Sequence, residues 1–441
     1  MARNTRNRQK QRTDGYSNAV IGYGVRNYDP YESFGFKTET GSITADKLER
    51  LFNYNGIANK IITAPVDDSI RSGFTLKNGD EELIQDDKLQ STLEELNIER
   101  VLKEALSWNR LFGGALIVLR INDGGELIDE LNIEKVAEID GIHVYDPQDV
   151  SVYQKYEDIS MAKYGKPEIY SINSSDGANF EVHESRCIRL NGDVVTRMER
   201  ARRDGWGGNV LERIQADLLN YNVSLRNVLM ILQRLSQGVL KLNELTAILS
   251  TPEGESLVRK RMNLIDKARS IDNTIVIDGT DDYELHNIGV GGIVDIINAF
   301  RTSLSSVTDI PLTRLFGQSP AGQNATGESD LNNYYNMIDG IRVNNIKPIL
   351  IRIIDLIDRA SAYNVTLPEY WTVEFNPLKM LDEKELADVE KIKAETRKTE
   401  ADAYSTLIST NAIDPIEVRG AIAKAGDIEL SNTPNIDDEP I

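Results

Sequence analysis

The chain has 441 residues, with 50 Lys+Arg against 70 Asp+Glu, for a formal net charge of -20. At roughly 150 residues per domain, this length allows about three domains or one elongated subunit with distinct subregions. The charge excludes a grip on duplex DNA through bulk electrostatics, because such binding depends on Lys and Arg displacing the counterions condensed on phosphate. The single cysteine, Cys187, excludes an intramolecular disulfide, and with only His143, His183 and His286 there is no Cys/His cluster at zinc spacing. A reducing cytoplasm is the expected compartment of synthesis. No apolar run reaches the roughly 18 to 20 residues that cross a bilayer, and no hydrophobic segment follows the charged start, so a soluble chain without a secretion signal or membrane partner is expected.

Residues 1–12 hold Arg3, Arg6, Arg8, Lys10 and Arg12 and no acid, which reads either as a solvated tail or as a tether to an acidic partner or nucleic acid. Residues 16–42, rich in Gly, Tyr, Asn and Ser, read as an extended segment that needs support from elsewhere. A helix starts after Thr44, and a second runs from about Ile57 to Ile70. RSGFTLKNG is strand-like, the stretch from Asp87 to Trp108 is amphipathic, and Ala115 to Ile121 is a buried strand. From Ile139 to Leu190 short strands alternate with turns, as expected for one small mixed or antiparallel sheet.

RARRDGWGG reads as a hinge. Beyond it, apolar residues recur at helical spacing from Asn209 to about Ser250, a helix of about 40 residues that would be roughly 60 Å long. TPEGES ends it, and a short basic helix with Arg259, Lys260 and Arg261 follows, then the strands NTIVIDG and YELHNIGV and a helix from Ile293 to Thr308. Residues 317–326 lack charge, periodicity and apolar mass. A second long helix opens at Ser329 or Asp330 and should bend near Asn344 to Pro348, since a proline removes one backbone hydrogen bond and clashes with the preceding turn. The strand WTVEF (Trp371 to Phe375) and helical residues complete the chain, with Asp414, Pro415 and Glu417 as a cap, Gly426 as a stop and a frayed acidic end. The fold class expected from this order is α+β, mainly helical.

No catalytic, cofactor or metal constellation is legible. There is no phosphate-binding loop, and the glycines at Gly22 and Gly289 lack the strand-to-helix context a nucleotide requires. His183 and Cys187, four apart in a strand pattern, would share a face but have no orienting acid. The pairs Asp67/Asp68, Asp86/Asp87 and Asp281/Asp282 read as solvated turns or helix caps. Two long helices bracketing a small module instead call for burial against neighbours, and head-to-tail contacts that close by rotation make a ring.

The run DIPLTRLFGQSPAGQNATGESDLNNYYNMID, with FRTSLSSVTDIP before it and NNIKPIL after it, resembles the portal (head-to-tail connector) proteins of tailed bacteriophages. The resemblance extends as an order of elements over about Thr44 to Gly426 and is most specific over Pro311 to Tyr335. It implies an elongated, non-enzymatic subunit of a ring, typically dodecameric, at one capsid vertex of the virion. The ring would be assembled in the host cytoplasm and would be the channel for DNA packaging and ejection. Implied partners are other copies of the chain, the terminase large subunit, a head-tail adaptor, the major capsid and scaffolding proteins, and double-stranded DNA passing without sequence specificity.

By position, residues 1–43 would be a basic arm and extended segment, 44–219 the wing, 220–250 and 292–310 the stem helices, and 251–291 the clip. Residues 311–328 would carry the tunnel loop, 329–380 the long kinked helix and return to the wing, 381–426 a short crown, and 427–441 an acidic tail. No long C-terminal helix is expected to follow the crown and build an internal barrel. Gly317, Gln318, Ser319, Gln323, Asn324 and Thr326 are then the channel-facing candidates, Pro348 marks the kink, and Arg259, Lys260 and Arg261 are docking candidates, with an ordinary surface loop and a solvated helix face as the plainer readings. The alternative function is an oligomeric helical scaffold or adaptor unrelated to DNA passage, with a metal-dependent nuclease more distant.

Overall fold

The computed structural model describes residues 43–78, 82–84, 86–174, 177–235, 238–241, 251–254, 256–260, 282–285, 292–317, 328–379, 383–410 and 418. The chain divides into two compact units, residues 1–376 and 377–441.

The first unit begins with α1 (Ala45–Tyr54) and α2 (Gly56–Ile70), separated only by Asn55. The Asn55 side chain accepts hydrogen bonds from the amides of Ile57 and Ala58 at 3.1 and 3.0 Å, so one residue ends a helix and caps the next. Next come β1 (Phe74–Asn78) and β2 (Glu82–Ile84), and β1 also pairs antiparallel with β11 (Trp371–Phe375) from the far end of the unit. The amphipathic stretch beginning at Asp87 is two helices, α3 (Asp87–Glu95) and α4 (Ile98–Phe112). Asn97 separates them with a left-handed φ of 52°, which Asn tolerates better than most residues. The periodicity hides this break because Leu89 and Leu93 on one side and Val101, Leu102 and Leu106 on the other all enter the same core.

The strands expected to form one sheet form two. Strand β3 (Gly114–Asn122) lies between β4 (Glu138–Tyr145) and β8 (Cys187–Asn191), while β5 (Val150–Lys155), β6 (Pro167–Asn173) and β7 (Asn179–His183) form a second three-stranded sheet. All pairings are antiparallel. The two faces of β3 explain the split. Ala115, Ile117, Leu119 and Ile121 enter the core shared with the helices, whereas Leu116 and Val118 enter a second core with Val150, Tyr170, Ile172, Val182 and Trp206. A strand covered on both sides reads as a continuous apolar run, which conceals the second layer.

His183 and Cys187 do not share a strand face. A 3-10 turn at Glu184–Arg186 separates them, leaving one at the end of β7 and the other at the start of β8. His183 Nδ1 accepts from the Ser185 amide at 3.2 Å, capping that turn, and burial pushes the Cys187 thiol far up.

The RARRDGWGG segment is not a hinge. Residues Arg197–Arg202 form α5, and Gly207 and Gly208 lie against Gly113 and Gly192 so closely that no side chain fits between them. Both Gly192 and Gly207 donate to the Gly113 carbonyl at 2.9 Å, and Gly208 and Asp193 exchange hydrogen bonds at 2.8 and 2.9 Å. The glycines serve close backbone approach here and leave no freedom of motion.

After α6 (Val210–Arg213), α7 (Gln215–Leu235) is shorter than the 40-residue rod that the sequence suggests. Its expected continuation holds β9 (Gly238–Lys241), paired antiparallel with β10 (Asp282–Leu285). Leu235 and Leu240 suit either period, and the long-range ladder wins over local helical spacing. The expected strand NTIVIDG lies outside the described residues. Helix α8 (Ile293–Thr308) packs along α7, and a left-handed turn at Asp309 leads into α9 (Leu312–Phe316).

Helix α10 (Glu328–Ile341) is joined to α11 (Lys347–Arg359) through a π-helical segment, Arg342–Ile346. The Lys347 amide donates to Arg342 O five residues back, and Pro348, which has no amide hydrogen, sits in the first turn of α11. The irregularity therefore precedes the proline by a few residues. Ile349, Leu350, Ile353, Ile354 and Ile357 of α11 are fully buried in the larger core, with β4 and β11 alongside the helix.

In the second unit, α12 (Glu383–Ser409) exposes nearly every described side chain, Ile392 included. The cap at Asp414 to Glu417 and the stop at Gly426 lie outside the described residues.

The glycine crossing yields a stability test. A Cβ at Gly192 would lie 2.4 Å from the Gly208 carbonyl oxygen and 2.6 Å from Gly113 Cα. Gly192→Ala should cost on the order of 2 kcal/mol or more, read as a lowered midpoint in thermal or urea unfolding. A midpoint equal to that of the wild type would show that the crossing opens freely.

Candidate functional site

Of the channel candidates, Gly317 is described: it closes α9 with φ 68° and donates to Thr313 O at 3.1 Å. Gln318, Ser319, Gln323, Asn324 and Thr326 lie outside the described residues, as does Arg261. Arg259 and Lys260 are exposed on the helical residues 256–260. Pro348 borders a shallow recess with Val343, Ile351, Arg352 and Trp371.

What the structure adds is the way the two sides of residues 317–327 are held. Asp68, near the end of α2, is 3% exposed. Its Oδ2 accepts from Arg314 Nε of α9 at 2.8 Å and from the Tyr334 hydroxyl of α10 at 2.6 Å. Arg314 Nη2 reaches Asp68 Oδ1 at 3.3 Å, and Arg71 Nη1 lies 3.4 Å from the same oxygen. One carboxylate thus gathers a cation from just before the 317–327 segment and a phenol from just after it. A buried charge without such partners would be costly, so the pairing fixes the separation of the two anchors. The Asp68 hydrogen bond holds the Arg314 guanidinium above its ordinary value. Burial, reinforced by the Asp68 carboxylate, pushes the Tyr334 phenol far up.

A second buried charge, this one a cation, adjoins this cluster through α2. Arg342, in the π-helical segment, is 1% exposed and donates from Nε to Ser69 O at 2.9 Å and from Nη1 to Asn376 O at 3.0 Å and Asp339 Oδ1 at 3.2 Å. Its Nη2 donates to the Ser72 hydroxyl, and its guanidinium lies 5.4 Å from the Phe375 ring centroid. Burial lowers its pKa from the ordinary arginine value. Asn376 Nδ2 in turn donates to Ser72 O at 2.8 Å. The π-turn, the end of α2 and the end of β11 therefore share one set of hydrogen bonds, next to the anchors of the 317–327 segment.

On the other side of α9, Tyr221 of α7 stacks near Phe316 with centroids 5.6 Å apart, and Arg301 of α8 lies 5.5 Å from the same ring. Ser303 Oγ of α8 donates to Asp217 Oδ1 of α7 at 2.7 Å. The paired helices and the anchors thus converge on α9.

Sequence reasoning misses this cluster. The Asp67/Asp68 pair reads as a solvated turn, but only Asp67 is exposed. The available signal is phase: Asp68 falls among Ala58, Ile61, Ile62, Ala64 and Val66, on the buried side of α2. Arg314 and Tyr334 fall inside the most recognisable run of the sequence without any spacing that links them to residue 68. Asp86 is the N-cap of α3 as expected, accepting from Lys88 and Leu89 amides at 2.9 and 3.2 Å.

The profile of the phage portal protein family matches residues 46–399 of this chain. The chain belongs to that family. It is 25% identical over 382 residues to an anti-CBASS protein Acb1 of Caulobacter sp. (strain RHG1), a match covering 83% of this chain but 60% of that protein. It is 26% identical over 412 residues to a protein of the same name from Sphingomonas paeninsulae, covering 91% of this chain and 64% of that one. The chain thus spans less than two thirds of the length of these two relatives. An uncharacterized protein of Haemophilus influenzae is 23% identical over 416 residues, with 94% of this chain and 90% of that protein covered. Among solved structures, a chain from the neck of an empty gene transfer agent particle is similar with a TM-score of 0.48 and 13% identity, over 80% of this chain and 88% of that one. A chain from the native gene transfer agent virion gives a TM-score of 0.46 at 13% identity, over 82% and 90%.

The Asp68 clamp, in which Arg314 and Tyr334 share one carboxylate, carries its own test. Asp68→Ala, which leaves Arg314 and Tyr334 without their shared acceptor, should cost about 3 kcal/mol, and Tyr334→Phe about 1 kcal/mol, in denaturant unfolding. Because the Tyr334 pKa is raised in the fold, its contribution is complete below the unfolded tyrosine value of about 10 and is lost as pH rises beyond it. Wild type should therefore lose more stability than Tyr334→Phe between about pH 9 and 11. Identical alkaline profiles would remove Tyr334 from the clamp.

Proposed function

We propose that this chain is the subunit of a portal ring, a channel at one capsid vertex through which duplex DNA enters during packaging and leaves at ejection. The observation that carries the reading is the family match over residues 46–399, which includes the whole region from α7 through α11. The geometry supports it in two ways. Residues 317–327 are fastened on both sides to one buried carboxylate, as suits a loop that must meet moving DNA without pulling its own subunit apart. Helices α7 and α8 also expose apolar side chains, with Leu229 61%, Val294 67% and Ile296 57% exposed in the isolated chain, surface that neighbouring copies of a ring would cover.

In this reading the charge of -20 per subunit keeps the duplex moving. A wall of the same sign as phosphate offers no counterion exchange to trap it. The uncharged Gln318, Ser319, Gln323, Asn324 and Thr326 would follow the groove without ion pairing, and Arg259, Lys260 and Arg261 would meet terminase and later the adaptor. Residues 44–219 would form the wing that meets the shell, and 381–426 a short crown.

Negative-stain imaging of the purified chain is the direct test: rings with an opening wide enough for duplex DNA support the portal, and monomers or filaments overturn it. Gln318→Arg together with Asn324→Arg should slow packaging while leaving ring assembly intact, and normal DNA content per particle would contradict the sliding role. Pro348→Ala would supply the amide hydrogen that the chain lacks just after the π-turn and should impair assembly or packaging, with unchanged capsid yield and DNA content as the opposing result.

A further inference from the structure

We propose that α5 of one subunit docks on the acidic residues 126–140 of the next copy of the chain, forming a charged seam between neighbours; the proposal rests on the ring reading above. Helix α5 carries Arg197, Arg200 and Arg202, all exposed, and beside them Met198 and Val194 are 72% and 82% exposed. Arg202 shares Glu199 with Arg203, but the guanidinium groups of Arg197 and Arg200 meet no carboxylate among the described residues. In a chain this acidic, an exposed arginine face without a partner is a surface made for something of opposite sign.

The chain itself presents that counterpart. Between β3 and the middle of β4, Glu126, Asp129, Glu130, Glu134, Glu138 and Asp140 are all exposed, with Lys135 as the one base among them, and Ile133 is an exposed apolar residue at their centre. Each surface thus carries a majority of one charge beside exposed apolar side chains, and the two majorities have opposite sign.

Strand β3 keeps them apart within one subunit. Its first residue, Gly114, pairs with Asn191 at the end of β8, the strand that leads into α5. Its last residue, Asn122, pairs with Glu138 at the start of β4, where the acidic connection ends. The two surfaces therefore lie at opposite ends of a nine-residue strand, roughly 27 Å apart at the usual rise. That is several times the Debye length of about 8 Å at physiological salt, so neither neutralises the other in the same chain. Opposite ends are where a head-to-tail contact needs its two halves, since each subunit must offer one surface forward and the other back.

Both halves are also fixed in place. Thr196 caps α5, and Arg203, directly after the helix, is bound to Glu212 at 2.8 Å. At the other end, the fully buried Arg186 grips Asp123 through bonds of 3.0 and 2.8 Å and reaches the Asp129 carbonyl at 2.9 Å. Burial alone would raise the Asp123 pKa, but the amides of Asn132 and Gly125 and the Arg186 guanidinium hold it below its usual range, so this tie stays ionised. Preorganised charges lose little entropy on docking.

The test uses two charge-reversal variants of the full chain: Arg197→Glu with Arg200→Glu, and Glu126→Lys, Glu130→Lys, Glu134→Lys and Glu138→Lys together, enough to turn the acidic surface positive. Circular dichroism first checks that each folds as wild type, with Arg197→Gln and Arg200→Gln as a milder pair if it does not. Each reversal alone places like charges across every seam and should raise the concentration needed for half assembly about tenfold or more. Mixed together, or combined in one chain, they restore opposite signs, and native mass spectrometry of the mixture should then find rings with the two variants in equal number. Reversals that assemble as wild type, or a mixture that fails to recover rings, would overturn the seam. If the arginine variant assembles normally but loses binding to a DNA duplex, α5 serves phosphate and the proposal is equally overturned. A wild-type chain that forms no ring overturns the portal reading itself, a result distinct from wild-type rings whose variants are unaffected.

Discussion

A carboxylate taken out of water must be matched by donors, and Asp68 is matched from three directions: Arg71 of the residues after α2, Arg314 of α9 and Tyr334 of α10. This requirement organises the neighbourhood. The positions of α9 and α10 relative to α2 follow from the reach of two side chains to one oxygen, and the segment between them inherits fixed supports. A few residues along α2, the carbonyl of Ser69 and the hydroxyl of Ser72 bind Arg342, which sits in the π-turn. The π-turn costs regular hydrogen bonding but directs that arginine inward, where it also takes the Asn376 carbonyl. One buried carboxylate, one buried cation and one helix end thus join the long helix, β11 and the anchors of the 317–327 segment. Such a hydrogen-bonded core is rigid when fully satisfied and expensive to disturb in part.

How much of this is legible in the sequence depends on whether a feature is written locally. Helices α1, α2, α8 and α11 and strands β1, β3 and β11 carry their own periodicity or caps and fall close to where the pattern places them. Features set by distant partners do not. The separation of β3–β4–β8 from β5–β6–β7 depends on which strands cover each face of β3, and its continuous apolar run shows that both faces are buried without naming what covers them. Strand β9 sits inside a helical spacing because β10, some forty residues later, supplies its ladder. The glycines of RARRDGWGG look like a flexible joint, yet Gly207 and Gly208 are there to let backbones touch. Asp68 is the clearest case among the site residues: adjacent acids suggest solvent, and only the apolar phase of α2 hints that the second points inward.

Charge shows the same division between total and placement. The sum over the chain, -20, argues against holding DNA, and in the proposed ring it argues for letting DNA slide. The sum does not reveal that the folded chain sorts its charges. Buried arginines, Arg186 and Arg342, are consumed in tying loops and helix ends to the core. Three exposed arginines lie together on α5, and an exposed run of carboxylates lies at the other end of β3.

This sorting bears on how a strongly acidic subunit could close a ring at all. Identical copies of net charge -20 repel one another, and in the proposed ring the apolar patches on α7 and α8 would have to overcome that repulsion at every contact. Local complementarity offers a way around it, because within a Debye length the nearest charges count for more than the total. A basic face meeting an acidic one at each junction would turn the closest charge pairs from repulsive to attractive while leaving the net charge unchanged. It would also impose direction: a subunit turned the wrong way would set carboxylates against carboxylates and be rejected. A ring built on such contacts would keep the acidity that favours DNA passage and confine its attraction to the seams.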